Sequence, residues 1–319
     1  MATQTAVLTK PVRKVSSQMG DRIARLTALF FACVLIAIVV LLVYELLWRS
    51  GAARAKFGWH FLASSEWNPV TEEFGALPFL YGTVVTSLVA MLLSIPLGLG
   101  AAIFLAELAP LKLSNSLTFV IELLAAIPSV IYGLLAIFTL VPLMREYIEP
   151  FLKTTLGFLP FFQGPAMGVG YLTAGLVLAI MTVPFIISVS REALLAVPRE
   201  QREAALALGA TRWETTWQIV VPYAKLGILG SIFLGLARAL GETMAVTMVV
   251  GNLPAVHASL LWPGSSIAAA IANEFGEAGG SLYPSALIEL GLVLFGLTIV
   301  INGFARLMII ATTKKGSKR

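Results

Sequence analysis

Charge is what this chain has least of. Asp, Glu, Lys and Arg make up 12% of its 319 residues, against 58% hydrophobic. Soluble domains carry about 25% charged residues. A chain so poor in charge cannot cover a water-facing surface, so its solvent is lipid. Cysteine is nearly missing too: Cys33 stands alone and can form no intrachain disulfide. Histidine is reduced to His60 and His257, neither with a second His or Cys at metal-ligand spacing, so no metal site is expected. There is no Gly-x-Ser-x-Gly elbow. No lysine ends a phosphate-cradling glycine loop either, since Lys153-Thr154 follows Phe151 and Leu152. Gly98-Leu99-Gly100 and Gly168-Val169-Gly170 lie in or beside apolar runs, where glycine permits close helix packing. With no catalytic residues to name, the chain is not read as an enzyme.

Long apolar runs are what it does have. A bilayer core needs about 20 apolar residues per helical span. Six segments qualify: Leu26 to Trp48, Tyr81 to Leu105, Leu117 to Leu140, Ala166 to Ser190, Leu226 to Val250 and Ser285 to Ile310. A membrane barrel would show strict alternation instead. The first run follows Lys10, Arg13, Lys14, Arg22 and Arg25, as a signal peptide would. It is too long for a signal core, though, and Ala53-Arg54-Ala55 lies beyond Arg49, so it reads as an uncleaved span.

Lysine and arginine placement orients the spans. Besides that tail, Lys112, the loop after span four (Arg191, Arg199, Arg202, Arg212, Lys225) and the chain end (Arg306, Lys314, Lys315, Lys318, Arg319) share one side. The other side has Arg49, Arg54, Lys56, Arg145 and Lys153, and residues 251–284 have none. Both termini are therefore expected in the cytoplasm. The net charge of +5 reflects topology and gives no reason to expect nucleic acid as a partner. The division is a cytoplasmic tail over 1–25, a six-span domain over 26–311 and a second cytoplasmic tail over 312–319.

Span five carries Arg238 and, four residues on, Glu242. A regular helix would place them on one face. A lone arginine at the bilayer centre costs about 2.5–3.5 kcal/mol on insertion scales. One reading is a neutralising pair. Matched apolar residues are often as stable as a buried pair, however, so stability is a weak reason to keep it. The other reading is an anion site: guanidinium forks onto an oxyanion, while the carboxylate repels a fully ionised sulfate yet accepts a hydrogen bond from protonated phosphate. A proton-coupled carrier or channel, using Glu242 with Glu122 and Glu289, stays open at this point.

The loop over about 191–225 reads as two short helices at the membrane surface. Pro198 starts the first, Gly209 ends it, Thr211 and Glu214 form a capping box for the second, and Pro222 closes the unit. The small residues Ala204, Ala205 and Ala207 invite another protein, although lipid headgroups would serve the helix equally well. Pro96, Pro128 and Pro184 are expected to interrupt spans two, three and four. Ser129 either satisfies a carbonyl that Pro128 frees or faces the pathway, and Tyr132 is read as packing. Residues 265–278 read as a short helix that either caps the pathway or lies on lipid. Trp48, Trp59, Trp67 and Trp262 read as an interfacial belt.

Glu203-Ala204-Ala205, Gly209, Ile219 and Pro222 resemble the EAA loop of ABC importer permeases, with Val221 where that family has Leu. ARALGETMAV (237–246), IELLAAIPSVIYG (121–133), YGTVVTS (81–87) and ANEF (272–275) are similar to the phosphate-specific permeases of the PstC type. The resemblance implies an all-α integral membrane protein with six transmembrane helices and the type I ABC importer permease fold, multi-pass in the bacterial cytoplasmic (inner) membrane. It implies that Glu203, Ala204, Ala205 and Gly209 engage an ATPase, and that Arg238 and Glu242 serve translocation of phosphate; Ser129 joins them as a candidate by its place beside Pro128. The partners implied are a second permease (PstA type), an ATPase dimer (PstB type) holding ATP and Mg, and a periplasmic phosphate-binding protein (PstS type). This chain would bind no cofactor of its own. Another oxyanion such as sulfate or molybdate, or a phosphate-sensing role, remains an alternative.

Overall fold

The computed structural model describes residues 18–316. Lys10, Arg13, Lys14, Lys318 and Arg319 lie outside them. Six helices are long and apolar enough to cross a membrane: Gly20–Arg49, Leu77–Leu108, Ser129–Leu156, Tyr171–Leu195, Arg212–Gly241 and Leu282–Leu307. They are numbered spans one to six. The two strands found among the described residues form a short antiparallel hairpin, Trp67–Asn68 against Glu73–Phe74.

Span one belongs to a unit of its own that ends at Trp48. Its helix is apolar all round, with Leu29, Phe30, Phe31, Leu35 and Ile36 all exposed. Such a helix suits lipid on every side.

The remaining chain packs around span four. Spans two and five and the helix Leu111–Ala125 lie against it. Missing side chains allow the close approach. A Cβ added to Gly98 would stand 2.8 Å from Ile186 Cγ2, and one on Gly175 2.4 Å from Val89 Cγ1. Small contact residues of this kind let membrane helices pack backbone to backbone. Ser190 and Ser231, both buried, hydrogen-bond at 2.6 Å and tie span four to span five.

Proline shapes these helices differently from the sequence expectation. Pro96 and Pro184 sit inside continuous α-helices. Four π turns, Phe104–Leu108, Ala136–Leu140, Met144–Ile148 and Thr216–Val220, each end two residues before a proline: Pro110, Pro142, Pro150 and Pro222. Proline brings no N–H and crowds the carbonyl four residues back. Widening the preceding turn by one residue relieves both problems. Pro222 therefore does not close the coupling unit; the helix runs through it from Arg212 to Gly241.

Two span boundaries also differ. The run Leu117 to Leu140 is two helices, broken at Ala126–Pro128, and the spanning helix continues to Leu156. Arg145 and Lys153, expected in an outer loop, lie within it. The run Leu226 to Val250 is likewise two helices: one ends at Gly241, Glu242 is extended, and Met244–Val249 forms a second.

The end of the bundle formed by residues 251–266 is knitted into the core. Gly170 N–H donates to Val249 O at 3.0 Å, Leu172 N–H to Leu260 O at 2.8 Å and Gly264 N–H to Val250 O at 2.9 Å. The expected short helix is Ile267–Glu274; its first four residues are buried in the bundle, so it does not lie on lipid. Trp67 is no belt residue. It packs edge-on against Phe74 and Phe79, with ring centroids 4.9 and 4.7 Å away, and its Nε1 donates to Glu274 at 2.7 Å. Trp262 stacks on His257 at 4.3 Å. Trp48 and Trp59 are exposed.

Candidate translocation and coupling sites

The two broken segments meet. Gly133, one turn past the Pro128 break, packs on the short helix Met244–Val249: a Cβ there would stand 2.5 Å from Met248 Sδ and 3.0 Å from Ala245 Cα. Pro128 deprives the Leu124 carbonyl of the donor a regular helix would supply. Tyr132 replaces it, its hydroxyl donating to Leu124 O at 2.8 Å. The freed carbonyl is thus met by Tyr132, which the sequence suggests only as packing. Ser129 is half-buried and opens the helix that follows the break. Interrupted helices at membrane depth are tolerated where the irregular backbone is buried in protein or lines a cavity.

Arg238 and Glu242 do not share a helix face, because the helix stops between them. Arg238 lies in the last turn, where a cation suits the negative helix end. It is exposed on this chain's surface, and its guanidinium carbon lies 6.0 Å from the ring centroid of Phe185, the outer reach of a cation–π contact. Glu242 is half-buried and accepts the Ala245 N–H at a long 3.4 Å. Among the described residues the two form no ion pair. Tyr132 lies within electrostatic reach of Arg238. Of the acids considered for a proton path, Glu289 instead faces Arg54, 3.6 Å from its Nε.

At the opposite end of span five, the coupling loop folds as its sequence predicts. The first helix is Arg199–Ala207, with Pro198 just outside as its cap residue. Gly209 takes φ +89°, a left-handed turn that favours glycine. Thr211 and Glu214 close the capping box: Glu214 N–H donates to Thr211 Oγ1 at 3.3 Å, and Thr211 N–H to Glu214 Oε2 at 2.8 Å. The small residues do not form one face. Glu203, Ala204 and Ala207 are exposed, whereas Ala205 is buried against its own chain.

Two long-range contacts carried no local signal in the sequence. Arg202 bonds the carboxylate of Glu107, 95 residues away, with Nη2 at 2.8 Å from Oε1 and Nε at 3.2 Å from Oε2. Glu149 is fully buried and accepts the Gly168 N–H at 3.0 Å, fixing the outer half of span three to the start of span four.

Residues 94–310 match the model of the family described as binding-protein-dependent transport system inner membrane component. The chain is 51% identical to the phosphate transport system permease protein PstC of Xylella fastidiosa (strain Temecula1) over 89% of this chain and 88% of that protein. It is 46% identical to PstC of Pasteurella multocida over 96% and 97%. Among solved structures, a bacterial alginate ABC transporter in complex with its alginate-bound periplasmic protein superposes with a TM-score of 0.60 at 17% identity, over 92% of this chain and 98% of that one. The fold is that of the ABC importer permeases, multi-pass and all-α.

Proposed function

We propose that this chain, which belongs to the family of binding-protein-dependent transport system inner membrane components, is the permease subunit that carries inorganic phosphate through an ATP-driven importer. The observation that carries this reading is Arg238: an arginine at a helix break within a membrane span, on the surface of this chain, with no carboxylate partner among the described residues. Intramembrane arginines face a protein interior or a water-filled path. A second permease of the PstA type would cover that surface, leaving the guanidinium in the path between the two. Arginine then forks onto two phosphate oxygens. Glu242 accepts a hydrogen bond from a third, protonated oxygen and disfavours sulfate, which carries no proton at neutral pH. Ser129 and Tyr132 belong to the broken segment that packs beside this site.

The energy comes from outside the chain. ATP and Mg sit on an ATPase dimer of the PstB type, and a periplasmic phosphate-binding protein of the PstS type delivers substrate. The exposed side of Arg199–Ala207, with Glu203, Ala204 and the glycine turn at Gly209, docks the ATPase. The loop and both termini face the cytoplasm, and the chain itself binds no cofactor. Gly98 and Gly175 draw spans two and four together as the scaffold against which span five moves.

Uptake of phosphate, sulfate and molybdate by vesicles holding the full importer tests this. Arg238→Gln is expected to lose roughly 2 kcal/mol or more, about thirtyfold in ATP-dependent phosphate uptake, with assembly intact. Normal uptake by that variant would reduce Arg238 to a structural residue. Faster uptake of molybdate or sulfate than phosphate by the unaltered chain would replace phosphate as the cargo.

A further inference from the structure

We infer that Arg202 and Glu107 form the tie by which the coupling helix moves spans two and four. This rests on the docking role proposed for that helix. Of the nine residues in Arg199–Ala207, Ala205 alone is buried and Arg202 alone is half-buried; the other seven are exposed. The two stand three residues apart, on one helix face. A push on the helix from outside therefore reaches the membrane body through this pair. Ala205 offers a methyl group. Arg202 offers four hydrogen bonds.

Those four bonds reach three places at once. Nε and Nη2 take the two oxygens of Glu107, which lies in the π turn ending span two. Nη2 also donates to Leu194 O at 2.8 Å, in the last turn of span four. Nη1 donates to Val197 O, in the link to the coupling helix. The side chains of Arg202 and Glu107 are 19% and 10% exposed, so solvent screens the pair poorly, unlike an ordinary surface ion pair. A planar guanidinium fixed at both ends of its fork also holds direction, which a lysine ammonium would not. The contact is bidentate, directional and sheltered, and it joins the ends of two spans to one movable helix. A cleft lined by Ala106, Glu107, Leu195, Arg199, Arg202 and Glu203 leaves room beside it for the helix to shift.

The test is the ratio of phosphate imported to ATP hydrolysed, measured on the complete importer in vesicles with the phosphate-binding protein supplied. Glu107→Ala is expected to retain its ATPase subunits through purification and to hydrolyse ATP, while importing roughly tenfold less phosphate per ATP. Arg202→Ala and the Glu107→Ala/Arg202→Ala double variant are expected to match each other, because the carboxylate acts through the guanidinium. Glu107→Gln keeps the shape without the charge and is expected to fall between Glu107→Ala and the unaltered protein. A wild-type ratio in assembled Glu107→Ala or Glu107→Gln overturns the tie, as does a double variant whose defect is the product of the two singles. Leu208→Asp, at an 89% exposed position just past the coupling helix, separates the two ideas. If it keeps both its ATPase subunits and its uptake, the docking reading fails. If it loses them while Glu107→Ala couples normally, only the tie fails.

Discussion

At the scale of single residues, Arg238 and Glu242 act as separate groups. The arginine reaches outward over Phe185, while the carboxylate holds only one long contact to its own backbone and keeps most of its acceptor capacity. A group placed to accept a hydrogen bond from the cargo needs that spare capacity. Glu242→Gln replaces a pure acceptor with one that also donates, which removes the penalty on sulfate. The preference for phosphate over sulfate is expected to fall roughly tenfold, about 1.4 kcal/mol, with phosphate uptake reduced less. Competition between the two anions in the vesicle assay reads this directly, and an unchanged preference would deny Glu242 a role in selection. Both residues were legible in the sequence because charge inside an apolar run is conspicuous. Their relation was not, since four-residue spacing implies a shared face only while the helix continues, and Gly241 ends it. Arg202 stands in the sequence only as one of the loop's positive charges and Glu107 gives no signal there, because spacing says nothing about residues 95 apart.

At the scale of elements, local chemistry was the reliable guide and summed hydropathy the weaker one. The capping box at Thr211 and Glu214 and the left-handed Gly209 follow from short-range hydrogen bonding and backbone freedom, and both stand where the sequence puts them. Nothing surrounds a Cβ placed on Gly209, so Gly209→Ala pays only for its backbone, roughly 1 kcal/mol. Its melting temperature should drop slightly, with the ATPase subunits still bound; a large loss would mean that the turn touches a partner closely. Hydropathy, in contrast, reads through both helix breaks, because the runs flanking Ala126–Pro128 and Glu242–Thr243 are apolar enough to carry across them. It also stops short at Leu140, deterred by Arg145, Glu146, Glu149 and Lys153. The helix continues past them because the one acid among these that is fully buried, Glu149, is met by a backbone N–H from the next span's approach.

At the scale of the whole molecule, six spans put the 199–209 loop and the 251–284 segment at opposite ends of the bundle. The orientation proposed above, argued from the lysine and arginine distribution, puts the first in the cytoplasm. A single cysteine introduced at exposed Gly279, in a Cys33→Ser background, is expected to react with a membrane-impermeant thiol reagent added outside intact cells, while one at exposed Ala207 stays protected until the membrane is opened. The opposite pattern would invert the chain. Span number and bundle ends could be read from composition because lipid sets a length that apolar runs must meet. The central place of span four could not, since it depends on which glycines meet which side chains across the chain. The π turn Thr216–Val220 links these scales. Each residue of an α-helix advances the azimuth by about 100°, so the one extra residue in that turn works as a phase shifter for everything downstream. The compass bearing of Arg238 is set at the far end of its own helix, beside the 199–209 loop. Closing that turn to a regular α turn with Gln218 kept would swing the guanidinium about 100° around the helix axis, carrying it off its outward face without altering any residue near it.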